Sequence, residues 1–152
     1  MSGELNVELT FILSKPLYYL LPVGQPVRSY PLSHIIYKCI MKPLISWNDF
    51  EKLDIRAGTV LSAMEFPEAR KPAYRLTIDF GPLGIRQSSA QITGHYSIAD
   101  LPGKQVVAVV NFPPKNIAGF ISECLVMGIY TTDDKVVLLE PGKPVQNGGI
   151  VG

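Results

Sequence analysis

From residue 55 onward the chain breaks into short runs, one of them with the two-residue period of a half-buried β-strand and others continuously apolar as buried strands are. The clearest run sets Tyr74, Leu76, Ile78 and Phe80 against Arg75, Thr77 and Asp79. Upstream, 55–66 reads as one long strand stopped by Pro67. Gly58 inside it marks the place for a bulge or coil that lets one strand serve two halves of a sheet. Gly81-Pro82-Leu83-Gly84 fits a type I turn, with proline second and glycine fourth. The strand that follows, 85–92, is more polar, and 94–103 is a connector with room for one helical turn. Two apolar strands, 105–112 and 123–131, come next, and a polar turn at 132–135 leads into 136–139. The Gly/Pro-rich tail, 141–152, predicts irregular structure. Ahead of the strands, Ser46-Trp47-Asn48-Asp49 has the form of an N-terminal cap, and Phe50 and Leu53 give a short helix one apolar face before it ends at Asp54.

Five or six strands that curl at a glycine predict an all-β fold with short helices, a small barrel whose closure removes exposed edges. Residues 1–43 stand apart. The first forty hold four prolines, three cations and two acids, and show no periodicity. Their apolar run, 17–23, is broken by Pro22 and falls far short of the roughly 20 residues that span a bilayer. We read 1–43 as a poorly ordered extension and 44–152 as the domain. Met41-Lys42 is an alternative start, on which the extension would be absent from the native protein.

Composition narrows the chemistry. With 152 residues, 47% of them hydrophobic, there is enough chain for one domain with a real core. The formal charge is +1, so polyanion binding has to come from a local patch. Cys39 and Cys124 have no metal-ligand spacing and are too few for a disulfide framework, which points to reduced thiols, a cytoplasmic setting and no cofactor. A hydrolase reading would need Cys124 and His95 as a nucleophile–base pair; Cys124, however, opens an apolar strand, where free cysteines are usually buried.

Residues 111–123 carry the most information about binding. Pro113 and Pro114 remove two backbone donors, which predicts a stiff loop between two core strands. It presents Asn111, Lys115, Asn116, Gly119 and Phe120, and Glu123 closes it, either accepting loop amides or facing a ligand. Basic residues gather at Arg70, Lys71, Arg75 and Arg86, with Phe112, Phe120, Tyr74 and Tyr96 as candidate stacking surfaces. The uncharged run Gln87, Ser88, Ser89 and Gln91 has no evident packing purpose and suits phosphate, ribose and base edges.

Taken in order, residues 54–60, the 87–92 strand, 105–112 and the 113–122 loop resemble the tRNA-binding OB-fold domain, found free-standing and appended to some methionyl- and phenylalanyl-tRNA synthetases. Residues 66–74 and 111–114 are closer still to its CsaA branch of chaperone-like, export-related proteins. The resemblance covers about 44–151. It implies a five-stranded OB barrel, a non-catalytic homodimer, and affinity for tRNA or other structured or single-stranded RNA, or for unfolded polypeptides. Its RNA-facing positions fall on Ser88, Ser89, Asn111, Lys115, Gly119 and Ser122; Arg75, Arg86 and Phe120 complete the candidate interface. This chain has fewer basic residues in the loop than the synthetase-appended versions, and eleven cations balance eleven acids over 41–152. The apolar strands 124–130 and 136–139 want cover on both faces, which predicts a two-fold contact through the C-terminal third, aided by the short helix.

Overall fold

The computed structural model describes residues 41–152, so the expectations for residues 1–40 lie outside the described residues. Ser46 caps the helix α1 (Trp47–Glu51): its Oγ accepts from Asp49 N, and the Asp49 carboxylate accepts in return from Ser46 N. Strands β1 (Ile55–Glu65), β2 (Tyr74–Asp79), β3 (Ile85–Ala90), β4 (Gln105–Val109) and β7 (Leu125–Val126) form one antiparallel sheet in the order β3-β2-β1-β4-β7. Two ribbons complete the fold, β5 (Lys115–Ile117) with β6 (Phe120–Ser122) and β8 (Gly128–Tyr130) with β9 (Val136–Leu138). The main sheet curls into a nearly closed OB barrel around Val60, Leu76, Ile78, Phe80, Leu101 and Val106, all at most 1% exposed.

Strand β1 does serve two partners, pairing with β4 over 55–59 and with β2 over 59–65. The register shift falls between Val60 and Ser62, however, and not at Gly58. Gly58 is required for a different reason. A Cβ there would sit 2.7 Å from the Phe80 ring and 2.9 Å from the Asp79 carbonyl, so the glycine lets the largest core side chain lie against the backbone. The 81–84 turn appears as expected, tightened to a 3-10 turn at Gly81–Leu83, and the connector contains one at Ile98–Asp100.

Two expectations are corrected, and a third gains a detail. The 111–123 stretch is not loop throughout, because the β5–β6 hairpin follows the two prolines; Ala118 (φ 47°) and Gly119 (φ 86°) make its primed two-residue turn. The 123–131 strand is split at Met127. Its amide donates to the Val107 carbonyl and its carbonyl accepts from Leu139 N, which ties β4 to the end of β9. The tail is irregular yet pinned, since Gly148 and Gly149 exchange hydrogen bonds with Ala57, and Val151 N donates to the Ile55 carbonyl. Among the described residues, no helix is long and apolar enough to cross a membrane.

Candidate nucleic-acid interface

Polar groups close the barrel where ladder pairing runs out. Glu123 N donates to the Gln87 carbonyl (2.8 Å), Gln87 N donates to Glu123 Oε2 (2.9 Å), and Ser89 N donates to Ser122 Oγ (3.2 Å). Ser88 is fully buried and gives its hydroxyl to the Cys124 carbonyl at 3.0 Å. The run Gln87-Ser88-Ser89 therefore has a packing purpose after all, because it joins β3 to the 122–124 segment. Glu123 takes the structural of its two expected roles, although the amide it accepts from belongs to a strand and not to the loop.

This seam sorts the expected site residues. Ser88 is sealed inside. Asn111 is committed at both ends of its amide, Oδ1 accepting from Asp54 N (3.0 Å) and Nδ2 donating to the Lys52 carbonyl (2.7 Å), so it clamps the exit of α1 to the end of β4. Arg86 lies on the face of β3 that carries Ser88 and Ala90, opposite to Ser89; it is half-buried, and its Nε is buried without a partner. Gly119 forms the hairpin tip, where its N–H donates to Asn116 Oδ1 (2.9 Å).

The other five come together on the outer face. Arg75 pairs with Ser89 across β2 and β3, Ser89 bonds to Ser122, and Ser122 pairs with Lys115 across the hairpin. Phe120, two residues before Ser122 on β6, makes a T-shaped contact with Phe66, centroids 5.5 Å apart. The Arg75 guanidinium lies 4.4 Å from the Phe66 centroid and 5.6 Å from that of Phe120, cation–π distances that hold its plane against the two rings. Lys115 is exposed and makes no ion pair among the described residues. Ser89 is half-buried, and its hydroxyl is uncommitted; that of Ser122 already donates to the Cys124 carbonyl (3.3 Å). The result is a fixed cation, a free cation, a hydroxyl and a half-buried aromatic ring on one rigid surface. It can take up phosphate oxygens and stack an unpaired base.

Of the other aromatics, Tyr74 and Tyr96 pack against the core. Tyr74 donates its hydroxyl to the Tyr96 carbonyl, and the Tyr96 hydroxyl accepts from Leu138 N. Phe112 is 44% exposed. Two contributors escaped the sequence reading, Phe66 as the floor under Arg75 and Glu68 as its ion-pair partner. Nothing in one dimension marks a contact across seven residues and a turn. The hairpin was findable, since Ala118-Gly119 separates two three-residue runs as a primed turn requires.

Residues 55–149 match the family model for a putative tRNA binding domain, and the chain belongs to that family. Chaperone CsaA from Bacillus anthracis str. Ames is 55% identical, with a TM-score of 0.70 over 72% of this chain and all of that one. The MetRS related protein from Pyrococcus horikoshii is 28% identical, with a TM-score of 0.66 over 73% of this chain and all of that one. The methionine–tRNA ligase of Bacteroides fragilis is 36% identical over 107 residues, 70% of this chain. The match spans only 16% of that ligase.

Proposed function

We propose that this chain is a non-catalytic RNA-binding protein whose partner is tRNA, held on the face formed by Arg75, Ser89, Lys115, Phe120 and Ser122. The observation that carries this reading is the stacked Arg75 guanidinium and the free Lys115 ammonium on one surface of a putative tRNA binding domain. The cations take backbone phosphates, and the Ser89 hydroxyl and the Phe120 ring meet sugar and base. With no net positive field, affinity is local and modest. Burial pushes the Cys124 thiol up to about 11, the wrong direction for a nucleophile, which weighs against a Cys124–His95 hydrolase. A cytoplasmic homodimer completes the reading. Lys115→Ala is expected to weaken binding across RNA sequences and to flatten the plot of log K against log salt by about 0.7, the share of one phosphate on a single strand. An unchanged slope removes Lys115 from the interface.

A second reading rests on the likeness to the CsaA chaperone and on exposed apolar side chains in the C-terminal third, Leu125, Ile129, Tyr130 and Val137. In that reading the protein holds unfolded polypeptide segments. Salt separates the two, since RNA binding falls steeply between low and physiological salt, whereas apolar peptide binding holds or strengthens.

A further inference from the structure

Arg75 is only partly free to meet a ligand. Its Nη2 is held by Glu68 Oε2 at 2.5 Å, and its Nε is buried without a hydrogen-bond partner. Phe66 and Phe120 fix the plane of the guanidinium, so it cannot swing to a new position without giving up both rings. Glu68 is held much less firmly. It sits in the turn that follows β1, where Ala69 N donates to the Phe66 carbonyl, and its side chain is 56% exposed against 29% for Arg75. One partner is anchored by packing, and the other is an acid on a solvent-facing turn.

Carboxylate and phosphate compete for the same guanidinium geometry. We propose that Glu68 occupies the place of a nucleic-acid phosphate on Arg75, so that the ion pair holds RNA affinity down and an incoming phosphate must displace the carboxylate. The inference rests on the RNA-binding reading and identifies Glu68 as the residue that tunes it. An ion pair this exposed exchanges readily, which makes Glu68 a competitor and not a lock. A carboxylate that merely braced the turn would have no reason to oppose a ligand.

The test uses the full chain and a fluorescein-labelled tRNA. Glu68→Gln is expected to tighten binding about 3- to 10-fold at a fixed salt concentration, because the same phosphate reaches Arg75 without a carboxylate to displace. The gain should vanish in an Arg75→Gln background and should not appear in Glu65→Gln, which removes an exposed charge on neighbouring β1. A parallel titration with inorganic phosphate follows the Arg75 Nε–H resonance by nitrogen-15 NMR, with the resonance moving at lower phosphate in Glu68→Gln than in the unaltered protein. This arm does not depend on how well an Arg75 variant folds. Equal gains in Glu65→Gln or without Arg75, or identical phosphate responses, overturn the proposal. A loss of all tRNA binding with the phosphate difference intact would instead overturn tRNA as partner and leave the competition at Arg75 standing.

Discussion

At Cys124 burial, chemistry and stability meet in a single side chain. The thiol is 6% exposed and points at the Gln87 carbonyl, and desolvation pushes it up to about 11, with the Ser88 hydrogen bond pulling the other way. In the unfolded chain a cysteine ionises near pH 8.5–9. Between that pH and about 11 the unfolded state therefore loses a proton that the folded state keeps, so stability present below pH 9 is lost as pH rises. Urea unfolding at pH 8 and 10.5 should show the unaltered protein losing on the order of 2 kcal/mol more than Cys124→Ala over that interval. Equal losses would mean the thiol is not desolvated. Iodoacetamide at pH 8 should label Cys124 only after denaturant is added, as peptide mass spectrometry would show. Burial of Cys124 was legible from its place at the head of an apolar run. The commitment of Ser88 and Asn111 was not, since a serine in a strand reads alike whether it faces solvent or seals a seam 36 residues away.

Regular alternation made β2 readable, and bounded apolar runs did the same for β1 and β4, because a sheet writes its burial into the sequence. Short ribbons write much less. The β5–β6 hairpin offers three residues per strand, and the two prolines before it outweigh that pattern when the chain is read alone. The same shortness makes the hairpin a test of how the interface is held. Ala118 has φ 47°, a left-handed conformation that costs an L-residue with a Cβ about 1–2 kcal/mol and that asparagine tolerates better. Ala118→Asn should therefore stabilise the protein by about 0.5–1 kcal/mol and raise its melting temperature by a few degrees. A stiffer hairpin also presents Lys115 and Phe120 with less ordering left to do on binding, so RNA affinity should rise or hold. A fall in melting temperature would show that the turn depends on the alanine itself. Gly58→Ala works in the opposite direction. The new methyl meets the Phe80 ring and the Asp79 carbonyl inside 3 Å, and a loss of about 1–3 kcal/mol is expected.

At the scale of the whole molecule, the barrel follows from strand count and closure, whereas the surface it leaves uncovered is a matter of partners. Ile129 and Val137 face each other across β8 and β9 at 60% and 40% exposure; Tyr130 beside Ile129 is 70% exposed, and Leu125 on β7 is 52% exposed. Single exposed apolar residues need no explanation. Adjacent ones on a two-stranded ribbon do, because the ribbon has edges and no second layer of its own to bury them. A two-fold contact would cover the same residues on both copies at once, which is the economical solution for a self-complementary patch. Light scattering of the full chain at micromolar concentration should return about twice its 16.7 kDa. Ile129→Asp should halve that mass while leaving the circular dichroism of the barrel unchanged, since the side chain lies outside the core. A monomer in the unaltered protein, or a dimer indifferent to Ile129→Asp and to Val137→Asp, would move the contact away from this ribbon. If the copies do meet here, each dimer carries two Arg75–Lys115 faces, and an RNA long enough to reach both gains affinity without any new contact. The monomeric variant should then bind a short single-stranded RNA as well as the dimer does and tRNA less well, a contrast that fluorescence anisotropy with the two ligands would resolve.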